Sequence, residues 1–182
     1  MKQTAKSPAT PAWSVPLAVT EVSEAGRHLD LTADATARRA IAALAGLVDL
    51  PRLEASIDVT RRGSDGLHVV GRLTATVVQS CVVTLDPVES QVDETMDVTF
   101  LPEDSPAAAA ANGLQSLQAD DPPEAIRNGS VDLGAVVTEF LLLGIDPYPR
   151  KPGAVLDVPA ADDPSSHPFA ALAALKKPEN PS

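Results

Sequence analysis

The feature that most constrains the fold of this chain is a strict alternation of apolar and polar residues. Alternate side chains point to opposite faces of a strand, so this period indicates strands with one apolar face. Residues 61–66 (Arg-Arg-Gly-Ser-Asp-Gly) separate the first two segments and contain two glycines suited to a hairpin loop. An Asp-Pro turn at 86–87 precedes the third. The sequence predicts an antiparallel meander whose alternating segments are 53–59, 69–77 and 92–100.

A first helix is predicted over residues 33–48. Its apolar residues recur at three- and four-residue spacing, which is typical of a helix with one buried side. Thr32 is the expected N-cap, and Pro51 is expected to prevent continuation. Residues 13–22 alternate more weakly and predict an additional edge strand.

A second helix is predicted over residues 132–143, capped by Asp132 or Ser130 and ended by Gly144. Thr138 and Glu139 are expected to lie outside its apolar stripe. The stripe itself is predicted to comprise Leu133, Val136, Val137, Phe140, Leu141 and Gly144.

Together these elements predict the α+β class: an antiparallel β meander, or a small partly open barrel, packed by two or three helices. Residues 13–149 are expected to form a single domain. Within it, the acidic, alanine- and proline-containing stretch at about 102–123 is expected to be a disordered, mobile loop. Residues 150–182 are expected to be a proline-rich linker followed by a C-terminal tail.

The charge of −11 is concentrated in the middle of the chain. Residues 51–101 carry four basic and eight acidic side chains, and residues 102–149 carry one and eight. Such a region repels phosphate, so it favours a basic protein partner over direct nonspecific RNA binding. The alternative interpretation is that the acidity only maintains solubility.

No catalytic constellation is recognisable in the sequence, and no enzymatic activity is predicted. Cys81 is the one candidate nucleophile or metal ligand, but no histidine falls in a catalytic motif with it. Because Cys81 is in phase with the apolar face of its strand, it is interpreted as a small buried apolar residue. The carboxylates between Asp86 and Asp97 are interpreted as a solvated strand face, since Asp93 and Asp97 would lie about 13 Å apart.

Three segments in order resemble the bacterial YceD family. They are Cys-Val-Val-Thr-Leu-Asp-Pro-Val at 81–88, Val-Asp-Leu-Gly-Ala-Val-Val-Thr-Glu-Phe at 131–140, and Pro-Phe-Ala-Ala-Leu-Ala-Ala-Leu-Lys-Lys at 168–177. The resemblance implies a cytoplasmic, non-enzymatic factor in large-subunit ribosome biogenesis that supports accumulation of 23S ribosomal RNA. Many relatives carry a second cysteine three positions after the first, a pattern that suggests a zinc site. Here that position is Thr84, and residues 150–154 contain no cysteine or histidine, so no metal is predicted.

The expected partner is a ribosomal protein or assembly factor, with large-subunit RNA as the alternative. Neither a cofactor, a small-molecule substrate nor a membrane is expected, since no apolar run approaches the roughly 18 residues of a membrane span. A remote alternative is a thiol enzyme that uses Cys81. The residues assigned to partner binding are Arg61, Arg62, Arg72, Phe169, Leu172, Lys176 and Lys177. Those assigned a structural role are Cys81, Thr84, Pro87, Phe140, Gly144, Pro147 and Pro149.

The C-terminal segment 168–177 has helical spacing, with Phe169 and Leu172 on one side and Lys176 and Lys177 at its end. A ten-residue helix is not stable alone in water, so it must pack on something. It is expected either to pack on its own domain or to dock into a partner, and the sequence leaves both open.

Overall fold

The computed structural model describes residues 11–102, 104–105 and 123–155, which form seven strands and two α-helices. A short 3-10 turn, Val19–Glu21, follows the first strand. The predicted α+β class is confirmed. The strands are β1 (Pro16–Ala18), β2 (Arg27–Thr32), β3 (Asp49–Arg62), β4 (Gly66–Ser80), β5 (Pro87–Pro102), β6 (Glu124–Ile126) and β7 (Ser130–Asp132). The helices are α1 (Ala35–Ala45) and α2 (Leu133–Gly144).

One five-stranded sheet dominates the molecule, in the order β2-β3-β4-β5-β6. Strands β2 to β5 pair antiparallel, and β6 joins β5 in parallel at Phe100–Pro102. Strands β1 and β7 form a separate antiparallel pair. Within the described ranges the two outermost strands of the sheet, β2 and β6, do not pair with each other. The sheet is therefore not a closed barrel.

The core lies on the inner face of the sheet, where the alternating apolar residues point. Ile57 of β3, Leu73 of β4 and Met96 of β5 are 0 or 1% exposed. Helix α1 contributes Ile41 to the same cluster, and α2 contributes Leu141. Both helices therefore pack against the inner face of the sheet. This packing is favourable because it removes the apolar area of these side chains from water.

The ends of the first helix differ from the prediction. Helix α1 begins after Asp34, whose carboxylate accepts hydrogen bonds from the N–H groups of Thr36 and Ala37 at 2.9 and 2.8 Å. Thr32 is therefore not the N-cap. The helix ends at Gly46, which has a left-handed φ of +66°, so Pro51 is not what stops it.

Three strands were missed by the sequence prediction. Strand β2 precedes α1 and pairs with β3, and β6 and β7 lie between the predicted loop at about 102–123 and helix α2. Only residues 16–18 of the strand predicted at 13–22 are extended, since a 3-10 turn follows them. The loop prediction for the rest of 102–123 lies outside the described residues, apart from 102, 104–105 and 123.

The apolar stripe of α2 is rotated from the predicted one. Thr138, expected outside the stripe, is only 6% exposed, and its hydroxyl donates to the Gly134 carbonyl at 2.7 Å. Phe140 is half-buried and packs at the margin of the core. Gly144 does not end the helix by a left-handed conformation. A Cβ at this position would lie 2.6 Å from Glu94 Cγ, so the glycine permits close packing of α2 against β5.

Two leucines at the end of α2 form a matched test of this packing. Leu141 is fully buried, whereas Leu143 is 76% exposed. Leu141→Ala should lower the free energy of unfolding by about 2–5 kcal/mol, because it removes buried area and leaves a cavity. Leu143→Ala should change it by less than about 0.5 kcal/mol. Urea unfolding of both variants gives the comparison, and equal losses would show that the helix is rotated from this orientation.

Candidate functional site

The turn between β4 and β5, residues 81–86, is held by a dense set of hydrogen bonds. We call it the Cys81 turn. The Cys81 N–H donates to the Asp86 carbonyl at 2.8 Å, and the Leu85 N–H donates to the Cys81 carbonyl at 2.9 Å. Pro87 then begins β5. The turn therefore closes on itself through its own backbone.

The Cys81 sulfur is fully buried and receives three backbone N–H groups. The N–H groups of Val83, Thr84 and Lys151 each lie 3.4 Å from Sγ. These donors favour the thiolate, with the N–H of Lys151 as the largest cause and the Thr84 side chain next, and together they lower the pKa of the Cys81 thiol to about 6. The predicted burial is confirmed, but the surroundings of the sulfur are polar, so the interpretation as an apolar side chain is wrong on that point.

The segment that follows α2 holds the Cys81 turn from outside. The Val82 N–H donates to the carbonyl of Pro149, itself buried, at 2.9 Å. The Lys151 ammonium lies 3.0 Å from the Asp86 carboxylate, and it is the largest cause of a lowered pKa at Asp86. The Asp146 carboxylate accepts from the Tyr148 N–H at 2.8 Å, in the turn that contains Pro147. Pro149 and Lys151 thus bond directly to the turn that holds the buried thiol.

This geometry limits the chemistry of Cys81. Across residues 11–102, 104–105 and 123–155, no group of three or more histidine, cysteine or acidic side chains is placed to hold a metal ion. His28 and His68 pair with aspartates on the sheet, at 2.7 Å from Asp58 and Asp97 respectively. The sulfur therefore meets backbone donors rather than a general base, an arrangement that stabilises a thiolate without exposing it.

Three exposed apolar side chains lie in the Cys81 turn or in the segment bonded to it. Leu85 is 77% exposed and has a φ of +62°, a left-handed conformation that is uncommon for a leucine. Tyr148 is 73% exposed, and Val82, hydrogen-bonded to the neighbouring Pro149, is also exposed. We call Val82, Leu85 and Tyr148 the turn surface. Exposed apolar side chains on one turn and the segment bonded to it are typical of a contact surface for another molecule.

The outer face of the sheet is charged, and two of its arginines are paired within it. Arg72 forms a bidentate pair with Asp93, and Arg52 lies 2.6 Å from Glu54. These contacts lower the pKa of both carboxyls. By the strand register three arginines lie on this face, Arg52, Arg62 and Arg72, and the carboxylates outnumber them. Those carboxylates include Asp30, Glu54, Asp58, Glu89, Asp93 and Asp97.

The three arginines predicted to bind a partner do not form one patch. The guanidinium of Arg61 donates to the carbonyls of Val22, Val19 and Ser64 at 2.6–3.2 Å, which ties the hairpin to the 3-10 turn. Arg62 is exposed and has no ion pair with the described residues. Arg72 lies six residues along β4 from the hairpin end of the strand, about 20 Å away by the strand rise.

The predicted tail residues Phe169, Leu172, Lys176 and Lys177 lie outside the described residues, so their contacts stay a prediction. Conversely, the hydrogen bonds that Asp146 and Lys151 contribute around the Cys81 turn were not predicted from the sequence. Nothing in the sequence signals Lys151, because the contact to Cys81 is made by its backbone N–H.

The fold and this site define a small α+β protein whose one cysteine is held by backbone donors beside an exposed apolar surface. A family model described as "Large ribosomal RNA subunit accumulation protein YceD" matches residues 69–176, and the chain belongs to this family. The match spans β4, β5, the Cys81 turn and α2. No curated protein and no solved structure matches the chain significantly. In the described part of the chain, no helix has both the length and the apolar character needed to cross a membrane.

The Cys81 thiol predicts a specific pH dependence of stability. Because its pKa is lowered in the folded protein, the stabilisation is present above the unfolded thiol pKa of about 8.5 and is lost as pH falls through about 6. Serine does not ionise in this range. The difference in Tm between the wild type and Cys81→Ser should therefore widen as pH rises from 6 to 8.5.

Thermal unfolding monitored by fluorescence of the single tryptophan gives this difference. His28, whose pKa is raised mainly by its hydrogen bond to Asp58, contributes with the opposite sign, since its stabilisation is lost as pH rises. That contribution is common to both proteins and cancels when their Tm values are subtracted. A Tm difference that stays constant between pH 6 and 8.5 would contradict a thiolate at this site.

Proposed function

We propose that this protein is a non-enzymatic factor that supports accumulation of large-subunit ribosomal RNA by binding a basic ribosomal protein or assembly factor. Membership of the YceD family supports the role in large-subunit RNA accumulation. The observation that carries the choice of a protein partner is the turn surface, where exposed Leu85 and Tyr148 flank a fixed turn. The protein acts in the cytoplasm in this proposal, without a cofactor or a small-molecule substrate.

The pairing of charges on the sheet supports a protein partner over RNA. Proteins that bind RNA through its backbone present unpaired lysines and arginines to the phosphates. Here Arg52 and Arg72 are each matched to a carboxylate, and Arg61 is occupied by carbonyl oxygens. Arg62 remains exposed at the hairpin, but a single arginine is a weak phosphate contact beside the carboxylates of the outer face.

The turn surface carries the kinds of side chain that protein interfaces are rich in. Aromatic and aliphatic side chains that are exposed and held in place bind with little loss of conformational entropy. The backbone hydrogen bonds from Val82 to Pro149 and from Leu85 to Cys81 hold this surface rigid before any partner arrives. Retaining Leu85 at a positive φ, where glycine would relieve strain, is consistent with a use for its side chain.

One observation favours a thiol enzyme as a second candidate, namely the lowered pKa of Cys81. A reactive cysteine also needs access for its substrate and a group that accepts or delivers protons. The Cys81 side chain is fully buried, and its hydrogen-bond donors are backbone N–H groups and Thr84. These features support a structural role for the thiolate.

A pull-down from native lysate tests the proposed partner. The full chain should recover large-subunit ribosomal proteins or assembly factors that remain bound after ribonuclease treatment. Leu85→Ser should reduce this recovery about tenfold, because it removes an exposed apolar contact. The matched control is Val70→Ser on the outer face of β4, which is 40% exposed and about 36 Å from Cys81 along the strand.

The control should retain wild-type recovery. Loss of the partners on ribonuclease treatment would contradict a protein contact and favour RNA. Equal recovery by Leu85→Ser and Val70→Ser would remove the turn surface from the interface.

A further inference from the structure

Strand β5 has a long free edge. It pairs with β4 along its whole length on one side, but on the other side β6 reaches only Phe100–Pro102. Among the residues that the structure describes, no strand pairs with the remaining length, 87–99, on that side. Proteins commonly shield such edges, because unpaired N–H and C=O groups recruit another strand. An edge of this length therefore needs an explanation.

The register identifies which backbone groups point to the free edge. Paired residues in an antiparallel ladder alternate between exchanging hydrogen bonds and exchanging none. The Cys81 N–H donates to the Asp86 carbonyl, and the β4–β5 register continues from that pair without a shift. Even-numbered residues of β5 therefore bond to β4. The groups that face away belong to Glu89, Gln91, Asp93, Thr95 and Asp97.

The charge along this edge is of one sign. Residues 87–99 contain four carboxylates and neither lysine nor arginine. Glu89, Asp93 and Asp97 lie on the outer face, and the latter two already pair with β4 side chains. Each carboxylate has two oxygens and can accept from a further donor. Glu89 has no ion pair within the described ranges.

Glu94 is the unusual residue of this edge. It lies on the inner face, where its neighbours two positions away, Val92 and Met96, are buried. It is half-buried beside Gly144 at the C-terminal end of α2, and it forms no ion pair with any residue that the structure describes. The negative end of a helix disfavours a carboxylate, so this position would be stabilised by an added cation.

These charges decide what can occupy the edge. A second copy paired antiparallel through the same edge would place acidic residues opposite acidic residues, which is unfavourable. An inward-pointing charge such as Glu94 also deters a purely apolar strand. We propose that the free edge of β5 binds an extended basic segment of a protein partner as an added antiparallel strand.

The pattern of that segment follows from the alternation of β5. Its backbone would bond to the odd-numbered residues from 89 to 97, so its outer side chains would lie opposite Glu89, Asp93 and Asp97. Lysine or arginine fits these positions. Its intervening side chains would lie on the inner face, where apolar residues fit beside Val98 and a lysine or arginine fits opposite Glu94.

This inference deepens the proposed function and rests on it only for the identity of the partner. A peptide tests the edge itself. The probe is an octapeptide that alternates lysine and valine, and the control peptide has the same composition with its lysines and valines in two blocks. Amide shifts of the isotope-labelled full chain report where each peptide binds and how tightly. The alternating peptide should bind about tenfold more tightly than the blocked one and shift residues 89–97.

Two variants separate edge pairing from charge alone. Thr95→Pro removes an N–H that faces the free edge without removing a bond to β4, and should weaken binding about tenfold. Glu89→Lys should weaken it severalfold, whereas Glu24→Lys, in the turn before β2, should not. Tm measurements establish that each variant is folded, and Glu89→Lys decides the result if Thr95→Pro does not fold.

Other outcomes would overturn the inference. Equal affinity for the two peptides, or binding unaffected by both Thr95→Pro and Glu89→Lys, would mean that no strand is added. Protection of residues 89–97 from hydrogen exchange in the free monomer would place a segment of this chain on the edge. A dimer abolished by Thr95→Pro would place a second copy there. A further outcome is that the peptide does not bind, while large-subunit proteins are still recovered after ribonuclease treatment. This result would reject strand addition at the β5 edge and leave the proposed function standing.

Discussion

The structure depends on the pairing of β4 with β3 on one side and β5 on the other. This 15-residue strand fixes the register of both neighbours, and a slip of one residue would exchange the buried and exposed faces. With the register set, Leu73 and Met96 enter the core while Arg72 meets Asp93 outside it. The same register puts Cys81 at the end of the ladder in phase with the buried face. The buried core, the charge pairs of the outer face and the position of the Cys81 turn therefore all follow from the register of β4.

The Cys81 turn shows how backbone donors that converge on a single cysteine can organise a loop. Three N–H groups, two from the turn and one from the segment after α2, converge on its sulfur. Thr84, three positions after the cysteine, contributes its N–H and its side chain. The buried sulfur links two segments 70 residues apart in sequence. This link holds the exposed Leu85 and Tyr148 on a rigid support.

The parts of the fold that were predictable are those encoded by local periodicity. Alternation located β3, β4 and β5, and helical spacing located both helices, because each pattern repeats over several residues. Strand β2 was missed since only six residues form it and they are mostly exposed. Strands β6 and β7 have three residues each, too few for a period to register.

The site was less predictable than the fold, for a physical reason. Burial of Cys81 followed from its phase, but its N–H donors did not, because backbone groups carry no residue signature. The occupation of Arg61 by carbonyl oxygens and the pairing of Arg72 with Asp93 also depend on contacts distant in sequence. Composition indicated an acidic middle region, whereas only the structure shows that Arg52 and Arg72 are paired with carboxylates.

We propose that this family member supports accumulation of large-subunit RNA by binding a protein, and that it does not hold the RNA itself. Fluorescence anisotropy of the full chain with protein-free large-subunit RNA, at about 0.1 M salt, tests it directly. The charge pairing on the sheet predicts no saturable binding, and lowering the salt should not produce a complex of defined stoichiometry. Saturable binding that weakens steeply with salt and is lost in Arg62→Ala would contradict this proposal and show direct RNA binding.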